Sequence, residues 1–208
     1  MSVAVGEEVP TRDYLGNMCE EEINIRFMGF DISSVSTGVS VVDMAANGEL
    51  SVVFTTNIIT NSKDKTGKRL KIFAEEMTGL LNEFKPDFVI KETTICRNGN
   101  QFINMKFFAA FELVLELEGY PKFYEYAPTS IKKTIAGHGR ATKEAVAEAI
   151  QKYTEIDVTG LTNDETDSLG VVLTHIGKTA TLIPKAEITA AREFDERVQE
   201  ALEEVGDL

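Results

Sequence analysis

The hydrophobic positions change period along the chain, and the changes mark its elements. Residues 23 to 31, 37 to 43 and 50 to 57 are dense in Ile, Val, Phe and Thr, and Ser33-Ser34 and Ala46-Asn47-Gly48 separate them. Runs of β-branched and aromatic residues between small polar breakers predict three strands joined by tight turns, an antiparallel meander. From Thr66 to Phe84 the period becomes helical: Leu70, Phe73, Ala74, Met77, Leu80, Leu81 and Phe84 recur at three and four and share one face. Pro86 stops that helix, and Phe88 to Lys91 reads as a short strand. A strand that returns after a helical crossover is expected to pair parallel to the first strand, making the sheet mixed.

Residues 101 to 118 also predict a helix, but Phe102, Ile103, Met105, Phe107, Phe108, Phe111, Leu113, Val114, Leu115 and Leu117 cover nearly its whole circumference. One sheet face hides only part of that, and a chain of 208 residues has little core with which to surround the rest. The expectation is a homodimer through this helix, with Phe107, Phe108, Phe111 and Leu115 at the interface, since cyclic dimers are the commonest oligomer. Gly119 and Pro121 lead into a brief strand, Lys122 to Tyr126, and Pro128 suits a first helical turn. After the break at Gly137-His138-Gly139, Thr142 caps a helix over 143 to 153. Asp164 then opens a last core helix, to about Ile176, that buries Leu169, Val171, Val172, Leu173 and Ile176. Three strands, helix, strand, helix, strand and closing helices is the order of an α/β, ribonuclease-H-like fold, a mixed five-stranded sheet with helices on both faces. Residues 1 to 22 read as an acidic arm, 23 to 184 as the domain, and 185 to 208 as an acidic helix or tail.

Composition narrows the setting. No apolar stretch approaches the ~18 residues of a membrane span, and the acidic start lacks the basic, then apolar, pattern of a secretory signal. Cys19 and Cys96 are too few and too far apart for a disulfide framework, which points to the cytoplasm and away from membranes. The net charge of -13 argues at first against a polyanionic partner. The acid is concentrated in the tails, however: residues 1 to 26 carry six acidic and two basic side chains, and residues 185 to 208 carry eight and three. Between them Lys63, Lys65, Lys68, Arg69 and Lys71 cluster against Asp64 alone, and Lys122, Lys132, Lys133, Arg140 and Lys143 against Glu125. Either stretch reads as a solvated face or as a surface for phosphates.

Four carboxylates carry the candidate chemistry. Asp31 ends the first apolar run, Glu92 ends Phe88-Val89-Ile90-Lys91, and Asp164 and Asp167 sit three apart on one face at the start of the last core helix. Brought together, they suit magnesium, which takes hard oxygen ligands, and a pair of such ions can activate water and stabilise the leaving alkoxide of a phosphodiester. Each also has a simpler explanation: Asp31 as a turn residue bonding the Ser33 or Ser34 amide, Glu92 as a solvated strand end, Asp164 with Glu165 as acids at a helix N-terminus. Glu92 is the most informative, because open sheets place ligands at the carboxyl ends of their parallel strands. His138 reads as an exposed imidazole and His175 as a packing residue.

Six segments, in order and spacing, resemble the RuvC family of Holliday-junction resolvases in a phage-type form. They are Gly29-Phe-Asp31 with Thr37-Gly38, Arg69-Leu-Lys-Ile-Phe73, Lys85-Pro-Asp-Phe-Val-Ile-Lys-Glu92, Phe123-Tyr-Glu-Tyr-Ala127, Ile131-Lys-Lys-Thr-Ile-Ala-Gly-His-Gly139 and Asp164-Glu-Thr-Asp-Ser-Leu169. The resemblance implies a homodimeric crossover junction endodeoxyribonuclease. It would nick a four-way junction symmetrically in two strands of like polarity and leave 5'-phosphate and 3'-hydroxyl ends. It also implies that Asp31, Glu92, Asp164 and Asp167 hold two Mg2+ ions, with Mn2+ able to substitute. Lys132 and Lys143 match phosphate-contacting lysines, and Lys133 and Arg140 extend that DNA-binding set. If phage-encoded, the protein would act in the host cytoplasm. Two departures stand out: Ile32-Ser33 replaces the usual Pro-Gly after the first aspartate, and Ile95 replaces an aromatic residue after the glutamate.

Other readings remain at this stage. A broader endonuclease acting on flaps, forks and three-way DNA in phage DNA processing fits the same residues, as does a junction-binding protein without catalysis. An actin-like or sugar-kinase ATPase would need a second domain and another glycine-rich phosphate loop, for which the chain leaves no room.

Overall fold

The computed structural model describes residues 24–93, 102–154, 156–184, 187–189 and 197. The expected N-terminal arm, most of the acidic C-terminal segment, Cys19, Ile95 and Cys96 lie outside the described residues.

Strands β1 (Ile25–Asp31), β2 (Ser36–Met44) and β3 (Leu50–Ile59) form the expected antiparallel meander. The turn between β2 and β3 depends on Gly48, whose φ of 86° is open to glycine at little cost. After helix α1 (Thr66–Phe84), strand β4 (Phe88–Glu92) returns parallel to β1. After α2 (Phe102–Leu117), β5 (Tyr124–Tyr126) pairs parallel to β4. The sheet order is β3-β2-β1-β4-β5. Helices α3 (Pro128–Ala136), α4 (Lys143–Thr154) and α5 (Asn163–Thr179) complete the domain, which has the mixed sheet and two helical layers that the pattern predicts.

The two-residue period of the strands divides the core in two. Met28 and Phe30 of β1 and Val89 of β4 pack with Phe73, Met77 and Leu81 of α1 and with Phe107 and Phe111 of α2. Phe27 of β1 and Ile90 of β4 pack with α3, α4 and α5. Side chains alternate between the faces of a strand, so Asp31 and Glu92 share the face of Phe27 and Ile90, under α5. The same period puts Lys91 on the opposite face. There it is buried in an ion pair with Glu125, its Nζ 4.9 Å from the centre of the Phe108 ring.

The expected dimer residues need correction. Phe107, Phe111 and Leu115 are buried inside the protomer, and Phe108 is half-buried. The helix needs Phe107, Phe111 and Leu115 to pack on its own sheet, so these three leave no surface for a second copy. Its exposed apolar residues are instead Phe102, Met105, Leu113 and Leu117, which recur at three, eight and four and so lie along one outward stripe. Arg69, read from the sequence as part of a surface cluster, is also buried. Its guanidinium donates to the Ser34 carbonyl and, at 3.1 Å, to the Thr60 hydroxyl. That clamps the turn after β1 to the end of β3.

Candidate active site

Two glycines bring α5 to the sheet. A methyl on Gly38, which pairs with Asp31 across β1 and β2, would overlap the Asp164 backbone; one on Gly29 would lie 2.6 Å from Val172 Cγ2. Only hydrogen at these positions lets the helix lie this close to the strands. The start of α5 is fixed by a capping box: the Thr162 hydroxyl accepts from Glu165 N at 3.2 Å, and Glu165 Oε2 accepts from Thr162 N at 2.8 Å. Asn57 of β3 donates to the same hydroxyl at 2.9 Å, tying the cap to the sheet. These contacts set the first turn of α5, with Asp164 and Asp167, beside the carboxyl ends of β1 and β4.

All four carboxylates are half-buried, and charges within the group act on the two strand-end acids. Asp31 is pushed up to about 6, first by burial and then by the charges of Asp167 and Asp164. Glu92 is pushed up to about 7 by burial, then by Asp31 and Asp167. Asp167 therefore acts on both strand-end acids. Lys143 Nζ donates to Asp167 Oδ2 at 3.0 Å, and that bond is the largest cause of its own raised pKa. Lys143 and Lys132 both lower Glu92, which partly offsets the crowding of acids. Among the described residues no three acidic, histidine or cysteine side chains form a closed metal-holding group as placed. The arrangement is an open cluster of hard oxygen donors.

The simpler explanation for Asp31 does not hold. The Ser33 amide goes to Thr37 Oγ1 at 3.3 Å and the Ser34 amide to Asn104 Oδ1 at 3.1 Å, so neither engages the carboxylate. The turn that stands where Pro-Gly is usual is closed by Ser33 itself, whose hydroxyl donates to Ser36 O at 2.7 Å. Lys132 and Lys143 line one cleft with Glu92 and Asp167, whereas Lys133 and Arg140 are exposed and do not line it. His138 is exposed. His175 is buried, within 2.9 Å of the Tyr126 hydroxyl through Nδ1 and packed against Phe27, Phe88 and Tyr124, so it is the packing residue expected. Sequence reasoning missed the Thr162 cap, although Thr-x-x-Glu before an apolar run signals it. It also missed the role of Asn57, which no local pattern reveals.

A family model described as crossover junction endodeoxyribonuclease RuvC matches residues 27–175. A relative of that name from Finegoldia magna is 28% identical over 153 residues, covering 73% of this chain and 93% of its own length. One from Chlorobium chlorochromatii is 30% identical over 150 residues, covering 72% and 78%. Among solved structures, T. thermophilus RuvC in complex with Holliday junction substrate superposes with a TM-score of 0.69 at 22% identity, covering 77% of this chain and 99% of that one. The yeast mitochondrial Holliday junction resolvase superposes with a TM-score of 0.56 at 10% identity, covering 82% and 84%. At those identities the superpositions speak for the fold, while the family model spans most of the chain, from the middle of β1 into α5. The chain belongs to the RuvC family.

Proposed function

We propose that this protein is a divalent-metal-dependent DNA endonuclease that resolves four-way junctions by paired, symmetric nicks leaving 5'-phosphate and 3'-hydroxyl ends. The observation that carries the reading is the convergence of four carboxylates: the first turn of α5, with Asp164 and Asp167, lies beside the ends of β1 and β4, where burial and neighbouring charges push Asp31 up to about 6 and Glu92 up to about 7. A fold that holds four acids together against their repulsion has electrostatic energy to release to a cation.

The donor set fits a hard divalent ion: every candidate ligand is a carboxylate oxygen, from three separate elements, in a half-buried position. Asp31, Glu92, Asp164 and Asp167 would hold Mg2+, with Mn2+ as a substitute, and binding would draw the open cluster together. When bound there, such ions supply Lewis acidity for attack by water and for departure of the 3' oxygen. The protein's own contribution is to position the substrate. Lys143, anchored on Asp167, and Lys132, close to Glu92, present cations to the phosphate entering the cleft. Lys133 and Arg140, exposed nearby in sequence, extend that attraction along the backbone.

Paired nicking requires two sites, and the exposed stripe Phe102, Met105, Leu113 and Leu117 on α2 supports a homodimer that supplies them. Digestion of synthetic four-way, three-way, flap and linear DNAs in Mg2+ or Mn2+ tests the proposal. The expected result is symmetric cutting of the four-way junction, religatable by DNA ligase, with linear duplex left intact. Equal cutting of every branched form would replace junction resolution with general branched-DNA cleavage. Failure to cut any of them would remove the nuclease assignment.

A further inference from the structure

Asp31 ends β1 and leads into a turn, residues 32–35, that contains neither proline nor glycine. A proline would fix the backbone there; Ile32 and Ser33 do not, so the turn takes its direction from what it touches. Its internal bonds only close it on itself: the Ser33 hydroxyl donates to Ser36 O, and the Thr37 hydroxyl donates to Ser33 O at 2.9 Å. The backbone of Ser34, buried three residues beyond Asp31, ties the turn to the rest of the protein. Its carbonyl accepts from the Thr60 hydroxyl at 2.5 Å and from the Arg69 guanidinium, which also donates to Thr60 and lies over the Phe107 ring. Its amide donates to Asn104 Oδ1 at 3.1 Å. The two anchors differ in kind. The carbonyl has two donors that also bond each other, so either alone keeps it satisfied. Among the described residues the amide has one acceptor, Asn104, and a buried N–H without an acceptor is unfavourable.

We infer that Asn104 is a positioning residue for Asp31: by accepting the Ser34 amide it fixes the turn that aims Asp31 at the first turn of α5, and so sets the affinity of the carboxylates for a divalent cation. The inference rests on the metal-binding reading above. Pairing with Gly38 holds Asp31 from the strand side, while the chain on its other side is held through Ser34. Asn104 lies in the first turn of α2, half-buried, and α2 packs on the sheet face opposite α5. It therefore acts on the acidic group from behind the sheet. Hydrogen-bonding partners that orient a metal ligand are worth ~10–100-fold in affinity, because ligand direction decides how well the oxygens converge. Asn104 works through the backbone rather than on the carboxylate, which places its effect at the lower end of that range.

The test uses the full-length protein. Asn104→Leu keeps the size of the side chain and removes the acceptor, whereas Asn104→Asp keeps an acceptor oxygen in the same place. In calorimetric titrations without DNA, Asn104→Leu should bind Mn2+ about tenfold more weakly and Asn104→Asp with at least native affinity. Cleavage by Asn104→Leu should slow at limiting Mg2+ and recover at saturating Mg2+, with metal-free junction affinity unchanged. A merely structural role would lower the melting temperature without this metal dependence. Reciprocity supplies an arm in the native protein: if the turn sets Asp31, a cation at Asp31 must steady the turn, so Mg2+ should slow hydrogen exchange of the Ser34 amide. Native Mn2+ affinity in Asn104→Leu overturns the inference, as does an Asn104→Asp protein as weak as Asn104→Leu, or a Ser34 amide indifferent to Mg2+. If Asn104→Leu fails to fold, the exchange arm decides. A native protein that binds Mn2+ but cuts no DNA loses the nuclease assignment alone, because titration and exchange need no cleavage; one that binds no Mn2+ refutes both.

Discussion

Gly38 is the residue on which the carboxylate cluster most depends, although it carries no functional group. The α5 backbone occupies the space a side chain would need, at the point where β2 pairs with Asp31. Gly38→Ala should force α5 away from the strands, costing about 1–3 kcal/mol as overpacked cores do and lowering the rate of cleavage by more than the loss of folded protein explains. Parallel thermal melts and single-turnover rates would measure both. Asp31 makes the opposite trade. Asp31→Asn removes a charge held against repulsion, so the metal-free protein should melt higher while cleavage falls to background and junction binding persists. A lower melting temperature would contradict the electrostatic account of the site. Both carboxylates at the strand ends were legible in the sequence, because each closes an apolar run. Arg69 was not. A basic residue among lysines reads as surface, and only the tertiary structure supplies the Ser34 carbonyl and Thr60 hydroxyl that allow its burial.

Periodicity identified the elements, including the parallel return of β4, because one-faced helices and alternating strands each leave a distinct signature. It failed at α2 for a physical reason. Where nearly every position is apolar, no phase in the sequence says which side faces the sheet, and Phe107, Phe111 and Leu115, expected at an interface, pack inward. The outward stripe offers a direct test of the proposed dimer. Under that proposal Leu113→Glu, at a position 59% exposed, should leave the fold intact and sediment as a monomer at micromolar concentration where the native protein sediments as a dimer. In a junction assay the same variant should lose the pairing of its nicks. The Ser34 amide accepted by Asn104 shows that α2 also touches the turn beyond Asp31, a contact between distant segments that no local pattern encodes.

At the scale of the whole molecule, the raised carboxylates link stability to pH. A carboxylate whose folded pKa lies above its ordinary value binds its proton more tightly in the native state. Its contribution is therefore full near pH 4 and is lost as pH rises through about 6 for Asp31 and about 7 for Glu92. Without divalent ions the melting temperature should fall between pH 5 and pH 8. Added Mg2+ should raise it more at pH 8 than at pH 5, and equal shifts at both would argue against cation binding by these acids. Charge also governs DNA affinity. Lys132→Ala with Lys143→Ala should flatten the dependence of log affinity on log salt by about one to two units, the expected loss for one or two phosphate contacts. The acidic tails account for most of the net charge of -13, which is why the overall charge hides the basic side chains beside the cleft. Gly29 and Gly38 can receive α5 only after residues 163–179 have left the ribosome, since synthesis runs from the N-terminus. On the proposed reading, a nascent polypeptide displays Asp31 and Glu92 with nothing to complete them. Cleavage by the emerging polypeptide would then have to wait for α5, which brings Asp164 and Asp167 to the strand ends.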